Sequence, residues 1–474
     1  MSKTKKFTRR QLLTGMAAAA GGAAGLGAWA TFHDTAQTAR QAGPGISVDG
    51  RPEPQKALMS YTSASRTGDK ISMLGFGCMR YPVMPGENSP RSPNINEPSA
   101  FELVDYALAH GVNYFDTAWG YHNGASQIVT GKALKRHPRD SFYLATKMPG
   151  YLNPDLAKAK EMFATQLKNC QVEYFDYYLL HNLSLVENYK RTYEDAGVLD
   201  YLLEEKRQGR IRNLGWSFHG DKAMLEYVLS RDVDWDFAMI QVNYHDLLHE
   251  LVPRPNLKKN VPEPAPAKWM LDTIAASGLP FVVMEPLLGG RLARLNGKAL
   301  NILQNEQPEH TAASWAFRYV AGLPNVLTIL SGMTYKEHLQ DNLATFSPYI
   351  PLSDHEHTVL KKALDVFVKG NNIRCTTCGY CMPCQYGVDI PTVFKHYNDC
   401  LDDDLVPKDS RSASYDEARR GYLTSLARRI PEFRSAAHCT GCGQCLPQCP
   451  QFINIPEEMD KIAKYTEQLL RRNV

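Results

Sequence analysis

From residue 58 onward, short apolar runs alternate with segments whose apolar residues recur at the spacing of a helix face. Eight of the apolar runs predict β-strands, at residues 73–78, 113–115, 142–146, 175–180, 212–216, 237–242, 281–284 and 326–330. The segments between them predict helices, among them residues 99–110, 155–170, 199–208 and 221–229. Eight strands with helical connections predict an α/β fold, in which a parallel sheet closes into a (β/α)8 barrel over residues 58–350.

Two stretches of this region are predicted to be inserted loops. Residues 82–98 are rich in Pro, Asn and Ser and follow the first strand, and residues 246–266 contain five prolines and follow the sixth. Both loops would lie at the C-terminal ends of strands, where barrels of this type build their active sites. For most of their residues the simpler interpretation is solvated surface.

The pattern changes after about residue 351, where strand-like runs end and cysteines cluster. Residues 354–369 and 457–470 predict helices, and residues 401–432 are interpreted as a linking segment. The acidic run at 402–404 favours a solvated face over a metal site. We therefore expect residues 351–474 to form a small, mainly α-helical domain.

The N-terminus has the three regions of a signal peptide. Residues 1–10 contain five cations and no acid, an Ala/Gly/Leu run follows, and Ala28 and Ala30 flank Trp29 as in a small-x-small cleavage pattern. The pair Arg9-Arg10 resembles the twin-arginine motif, which predicts export by the Tat machinery to the periplasm or another extracytoplasmic space. The alternatives are a basic tail with a short buried helix, and a signal retained as an anchor. Residues 31–57 are expected to be a linker.

Composition and charge exclude several classes of protein. The chain has 474 residues, of which 43% are hydrophobic and 22% charged, which excludes wholesale disorder, collagen and coiled coil. Its net charge is +3, and removal of residues 1–30 would leave −2, so nucleic acid is not an expected partner. The signal segment is rich in Gly and Ala, so no permanent membrane span is expected.

Four side chains lie at or just after the ends of successive predicted strands, namely Asp116, Tyr121, Lys147 and His181. Each alone has an ordinary explanation as packing, surface or a satisfied core residue, but together they converge on one face of the barrel. Carbonyl reduction needs a proton donor at oxygen, and tyrosine, with a pKa of about 10, can serve once a nearby ammonium lowers that value. Asp116 would hold the lysine, and a neutral His181 would hydrogen-bond the carbonyl.

Nine of the 11 cysteines lie between residues 375 and 449. Eight of them form two runs, C-x2-C-x2-C-x2-C at Cys375, Cys378, Cys381 and Cys384, and C-x2-C-x2-C-x3-C-P at Cys439, Cys442, Cys445 and Cys449. The second run is the bacterial ferredoxin pattern, and together they fit two [4Fe–4S] clusters. The expected sets are Cys375, Cys378 and Cys381 with Cys449, and Cys439, Cys442 and Cys445 with Cys384. A single cluster, zinc and disulfides are the alternatives.

The three remaining cysteines are not expected to bind a metal. Cys78 and Cys170 fall within predicted barrel elements and are interpreted as small buried apolar residues. Cys400 falls outside both runs, and a structural role is favoured.

The barrel region resembles the aldo-keto reductase family. The resemblance runs from MLGFG (73–77) through FDTAWGY, LATKM, DYYLLHN, NLGWS, IQVNY and EPLLGG to SGMTYKEHLQDN, and covers nearly all of residues 58–346. It implies that Asp116, Tyr121, Lys147 and His181 are the catalytic tetrad, with Tyr121 as general acid. It also implies an NADP or NAD site, whose contacts would be Ser217, Gln241, Leu288, Gly289, Gly290, Glu337 and Asn342.

Some positions depart from the family pattern. Phe218 follows the serine where asparagine is frequent, and Met284 stands where many members stack an aromatic ring on the nicotinamide. Gly332 and Met333 align where other members hold the 2′-phosphate of NADPH, so that charge would have to come from Arg291 or Lys336. The choice between NADPH and NADH is therefore open.

The C-terminal part resembles the ferredoxin-like extension of a bacterial subgroup of this family, which has similar YCMPC and CPQ text. Together the resemblances imply an exported oxidoreductase that moves hydride between NAD(P)H and a small carbonyl or alcohol substrate. The alternative is an iron–sulfur electron-transfer protein whose barrel docks a redox partner protein.

Overall fold

A computed structural model of the chain describes residues 58–62, 66–87, 91–249, 264–370, 372–407 and 409–471. The predicted signal peptide and linker lie outside the described residues, as does most of the second predicted loop. No helix within the described ranges is both long enough and apolar enough to cross a membrane.

Eight parallel strands form a closed barrel in chain order, and the last strand pairs with the first. The strands are β1 (Leu74–Gly77), β2 (Tyr114–Asp116), β3 (Tyr143–Met148), β4 (Phe175–Leu183), β5 (Ile211–Phe218), β6 (Phe237–Gln241), β7 (Phe281–Met284) and β8 (Val326–Ser331). This confirms the predicted fold. Their residues are almost all buried, as expected for a parallel sheet with a filled interior and helices outside.

Helices connect the strands on the outside of the barrel. The helices of the barrel region are Glu97–Ala109, Ala125–Leu134, Leu156–Cys170, Val186–Tyr189, Val198–Arg207, Lys222–Leu229, Tyr244–Leu248, Ala267–Ala276, Gly297–Glu306, Ala312–Ala321 and Lys336–Phe346, with a π-helical stretch at Lys190–Asp195. Short 3-10 turns add Cys78–Arg80, Tyr121–Gly124, Arg139–Ser141, Gly150–Leu152 and Leu288–Ala293.

A short antiparallel hairpin, Tyr61–Thr62 with Ile71–Ser72, closes the N-terminal end of the barrel. The hydroxyl of Tyr61 donates to the carbonyl of Gly111, and the hydroxyl of Thr62 donates to that of Val326, both at the N-terminal side of a strand. The opposite, C-terminal end is therefore the face on which polar side chains are free to assemble.

The C-terminal region is helical. Its helices are Asp354–Val368, Ile390–Asp402, Tyr415–Arg429 and Ile455–Arg471, with 3-10 turns at Glu432–Arg434 and Ala436–His438. The first packs with Leu303 and Ala299 of the barrel region, and the others share a core that includes Phe394 and Met459. Among the described residues after 351 there is no strand, as predicted.

The interpretation of residues 401–432 as a linking segment is wrong. A helix runs from Tyr415 to Arg429 and buries Ala418 and Tyr422 against the neighbouring helices. Its apolar stripe is narrow and interrupted by arginines, so its hydrophobic pattern is weak. Tertiary packing stabilises this helix more than its own sequence does.

We predict that Gly131→Ala destabilises the protein, because a Cβ at this position would lie against the carbonyl oxygen of Asn169 and 2.6 Å from the carbonyl carbon of Cys170. Overpacking of this kind costs roughly 1–3 kcal/mol of stability. The better helix propensity of alanine offsets about 1 kcal/mol of this cost. The free energy of unfolding, measured by urea denaturation, should fall by up to about 2 kcal/mol, the difference between these two contributions. Gly297→Ala is the control, because a Cβ there meets nothing within 4 Å. Equal stabilities of the two variants would contradict the prediction.

Candidate active site

The four predicted catalytic side chains meet at the C-terminal end of the barrel. Asp116 is the last residue of β2, Lys147 lies near the end of β3, and His181 lies toward the end of β4. Tyr121 begins the turn that follows β2. Since neighbouring strands of the barrel are in register here, with Asp116 opposite Ala145, the side chains converge on one rim.

Lys147 and Asp116 form a buried ion pair. The Lys147 ammonium lies 2.6 Å from Asp116 Oδ1, and the two side chains are 1% and 2% exposed. The ammonium also donates to the carbonyl of Thr117 at 2.8 Å, while Gln166 donates to the carbonyl of Lys147. Asp116 Oδ2 has no hydrogen-bond partner among the described residues. Lys147 is thus held by Asp116 Oδ1, while Asp116 Oδ2 accepts no hydrogen bond from the described residues.

Tyr121 lies between this pair and His181. The Lys147 ammonium is 4.9 Å from the centroid of the Tyr121 ring, and the Tyr121 and His181 rings meet edge to face at 6.3 Å. Tyr151 contacts the other side of His181, with ring centroids 5.4 Å apart. His181 Nδ1 is buried and unpartnered within the described part of the chain. A carbonyl oxygen placed here would meet a phenol and an imidazole together.

Burial sets the protonation states of Tyr121 and His181. It raises the pKa of Tyr121 well above its ordinary value, and the charge of Asp116 raises it further. The expectation that Lys147 lowers the pKa of Tyr121 stays a prediction. Burial, followed by Lys147, holds the pKa of His181 well below its usual range. At neutral pH Tyr121 is protonated, as a proton donor must be, and His181 is neutral, as expected.

An unusual turn presents Tyr121 to the rim. His122, Asn123 and Gly124 all have positive φ angles, of 50°, 52° and 96°. The fully buried His122 anchors them, because its Nε2 accepts from the Tyr81 amide and its Nδ1 lies 2.8 Å from the carbonyl of Ser92. His122 is a positioning residue that the sequence reasoning missed, since nothing in its local pattern distinguishes it from a surface residue.

Comparison with known proteins identifies the family of this chain. The Aldo/keto reductase family model matches residues 74–365. The chain belongs to the aldo/keto reductase family. The prediction that it is an enzyme, an oxidoreductase, is thereby confirmed.

Two relatives and one solved structure illustrate the similarity. The NADH-specific methylglyoxal reductase of Escherichia coli is 26% identical over 62% of this chain and 94% of its own length. A probable aldo-keto reductase of Glycine max is 32% identical over 32% of this chain. The aligned segment covers only 42% of that protein's own length. A thermostable aldo-keto reductase solved with the inhibitor epalrestat shares the fold, with a TM-score of 0.50 and 24% identity over 64% of this chain and 100% of its own.

The residues predicted to hold a nucleotide lie along the same rim, but they are engaged to different degrees. Ser217 Oγ accepts from the amide of Asn182, and Asn342 donates to Ser331 Oγ at 2.9 Å. Glu337 is exposed at the start of its helix, whereas Leu288 is buried. A Cβ on Gly290 would meet nothing within 4 Å, so open space remains there.

The C-terminal region occupies the remainder of the predicted nucleotide site. The side-chain amides of Gln241 and Gln451 pair with each other at 2.8 and 3.3 Å. A Cβ on Gly289 would lie against Thr376, 2.6 Å from its carbonyl oxygen. Gln241 and Gly289, two of the predicted nucleotide contacts, therefore contact protein in this arrangement.

The two cations considered for the 2′-phosphate are also engaged. Arg291 donates to the carbonyl of Ile373 at 2.7 Å, and its guanidinium lies over the ring of Phe367. The Lys336 ammonium lies 3.5 Å from Glu102 and over the Tyr106 ring. Neither side chain stands ready to select NADPH.

The first predicted set of cysteines comes together in the structure. Cys375, Cys378, Cys381 and Cys449 line one cavity, closed on its other sides by apolar residues such as Phe394 and Ile453. Cys439, Cys442 and Cys384 contribute to raising the pKa of Cys445. The grouping of these four cysteines as a second set stays a prediction.

The chemistry of these donors fits an iron–sulfur cluster. Burial, followed by the neighbouring thiols Cys378 and Cys449, raises the pKa of Cys375 to about 12. Four thiolates gathered in one cavity would repel one another, and a positive group at their centre would offset that repulsion. All 11 cysteines are free in this structure. The described residues contain no group of three or more His, Cys, Asp or Glu side chains placed to hold a metal ion. Zinc stays an alternative to the cluster at these cysteines.

Three residues near the rim escaped the sequence reasoning. Glu285 has a φ of 55°, and burial raises its pKa, which Arg80 opposes. The charge of Glu285 helps to raise the pKa of Cys378, and Tyr380 helps to raise the pKa of Tyr121. Glu285 stands in the EPLLGG text and could have been singled out as an acid after a strand. Arg80 and Tyr380 carry no comparable signal.

We predict that Lys147→Met strongly destabilises the protein, because it leaves the Asp116 carboxylate buried without a counter-ion. Removal of one partner of a buried pair costs about 3–5 kcal/mol of unfolding free energy. The double variant Asp116→Asn/Lys147→Met should recover much of this loss, since neither charge remains. Lys158→Met, in an exposed pair with Glu161, is the control and should change stability by less than about 1 kcal/mol. Denaturation curves that show no difference between Lys147→Met and this control would contradict the prediction.

Proposed function

We propose that this aldo/keto reductase is an exported enzyme that interconverts a small carbonyl compound and its alcohol, with Tyr121 as general acid and with two [4Fe–4S] clusters in its C-terminal region. The observation that carries the catalytic part is the rim geometry, in which the buried Lys147–Asp116 pair lies beneath Tyr121 and against His181.

In the reductive direction, the carbonyl oxygen would sit between the Tyr121 phenol and the His181 imidazole. A neutral His181 donates a hydrogen bond that orients and polarises the carbonyl. As hydride reaches the carbon, negative charge develops on oxygen and the Tyr121 proton moves there. The Lys147 ammonium stabilises the resulting phenolate, because the two groups share a buried site where charges interact strongly.

A nicotinamide nucleotide is the proposed hydride source. This rests on the family and on relatives such as the NADH-specific reductase of Escherichia coli. Residues Ser217, Gly290, Glu337 and Asn342 would be its contacts that do not involve the C-terminal region. Binding at Gln241 and Gly289 requires Gln451 and Thr376 to move away.

Export and the clusters are proposed from the sequence together with the cysteine geometry. The basic start, the Ala/Gly/Leu run and the Arg9-Arg10 pair support a twin-arginine signal. The two cysteine sets would hold the clusters, which carry one electron at a time. Loading the clusters before export is consistent with that route.

The second candidate function is an electron-transfer protein whose barrel serves as a docking platform. It is favoured by one observation, the contact of Thr376 and Gln451 with the predicted nucleotide residues. Nucleotide released from anaerobically purified protein, identified by mass spectrometry, would decide for the reductase.

We predict that Tyr121→Phe lowers the turnover number for carbonyl reduction by a factor of about 10²–10⁴, because it removes the proton donor and little volume. Initial rates would be measured anaerobically with NADH and NADPH against a panel of small aldehydes and dicarbonyls that includes methylglyoxal. Tyr335→Phe, with a side chain 61% exposed, is the matched control and should behave as wild type. Retained turnover in a folded Tyr121→Phe protein would remove Tyr121 as the acid.

We predict about eight iron and eight sulfide per chain in protein purified without oxygen, because two cubanes each contain four of both. Cys442→Ser should lower the content to about four of each, since it removes a ligand of the second set only. Cys400→Ser is the control and should keep about eight, because Cys400 lies outside both sets. Zinc without iron would contradict the cluster proposal, and about four iron in the wild type would reduce it to one cluster.

A further inference from the structure

The C-terminal segment that carries the first cysteine run lies directly on the rim. Thr376 covers Gly289, as described above, and its carbonyl accepts from Arg80 at 2.8 Å. Gly289 and Gly290 have φ angles of 67° and 96°, and the amide of Gly290 donates to the carbonyl of Leu287. Thr376 covers this turn at Gly289.

Three further polar contacts fix the segment to the barrel. Arg374 forms an ion pair with Asp246, and these side chains are 13% and 5% exposed. Arg291 donates to the carbonyl of Ile373. Gln451, only 7% exposed, pairs with Gln241. The barrel groups at the rim are thus matched by groups of the same chain.

These contacts fall on the positions that a dinucleotide needs. Gln241 is a predicted nucleotide contact, and its side-chain amide is matched by the amide of Gln451. Gly289 is another, and Thr376 packs directly on it. The segment therefore covers Gly289 and takes up the hydrogen-bonding groups of the Gln241 side chain.

We propose that residues 373–376 together with Gln451 form an intramolecular plug of the nucleotide site, so that NAD(P)H binds only when this plug is displaced. The inference rests on the proposed function, because it takes Gln241 and Gly289 as nucleotide contacts. Thr376, Arg374 and Gln451 then determine access to the site without touching the reacting atoms.

The plug lowers the apparent affinity of the protein for the nucleotide. The apparent dissociation constant equals the intrinsic constant divided by the fraction of molecules whose plug is open. A variant that weakens the closed form raises this fraction and tightens binding. Arg374 and Gln451 suit this purpose, since both belong to the C-terminal region and not to the predicted nucleotide contacts.

The test is a titration of the full-length, anaerobically purified protein with NADPH and NADH, followed by fluorescence. We expect Arg374→Ala/Gln451→Ala to tighten the apparent dissociation constant by about tenfold or more. Arg411→Ala, in an exposed ion pair with Asp409, is the matched control and should bind as wild type. Iron content is measured in each protein, because Arg374 is adjacent to Cys375.

A second measurement needs no variant. Hydrogen exchange of the amides of residues 373–380 in the wild type should speed up at saturating NADPH, because the nucleotide displaces the plug. Unchanged affinity in the double variant, together with unchanged exchange, would overturn the plug and leave the nucleotide as hydride source. Failure of wild type and double variant alike to bind either nucleotide would overturn the plug and the nucleotide part of the proposed function together.

Discussion

A lysine and an aspartate, both almost wholly removed from water, form the interaction on which the rest of this site depends. Such a pair is stable only where its geometry is fixed, because the desolvation of two charges is about as large as their attraction. The closed barrel supplies that geometry by placing Asp116 and Lys147 on neighbouring strands, 2.6 Å apart. Tyr121 and His181 then need only reach over this pair, and burial sets their protonation.

The outward-facing polar groups of the same rim also need hydrogen-bond or ion-pair partners. Gln241, Asp246, Arg80 and Arg291 all point to the C-terminal end of the barrel, and each is matched by the C-terminal region. In a barrel with an open groove these groups would face water or a ligand. Here the C-terminal region forms part of the rim, and Tyr380, between two cysteines of the first run, helps to raise the pKa of Tyr121.

The sequence predicted the barrel well because parallel strands buried on both sides read as continuous apolar runs. The tetrad followed, since residues at the ends of such strands must share one face. The helix Tyr415–Arg429 was missed because arginines interrupt its apolar stripe. The contacts of Thr376 and Gln451 could not be predicted, because two polar residues among cysteines carry no periodic signal and acquire their partners only through docking.

The rim contacts lie close along the chain to the site of the proposed first cluster. That site takes Cys375, Cys378 and Cys381 from one run and Cys449 from the other, and these cysteines line one cavity. Thr376, which packs on Gly289, lies between two of them, and Gln451, which pairs with Gln241, lies two residues beyond Cys449. If a cluster bound there favours these contacts, linkage requires that opening the rim weaken cluster binding by the same coupling free energy. Access to the tetrad and occupancy of the first cysteine set would then be coupled.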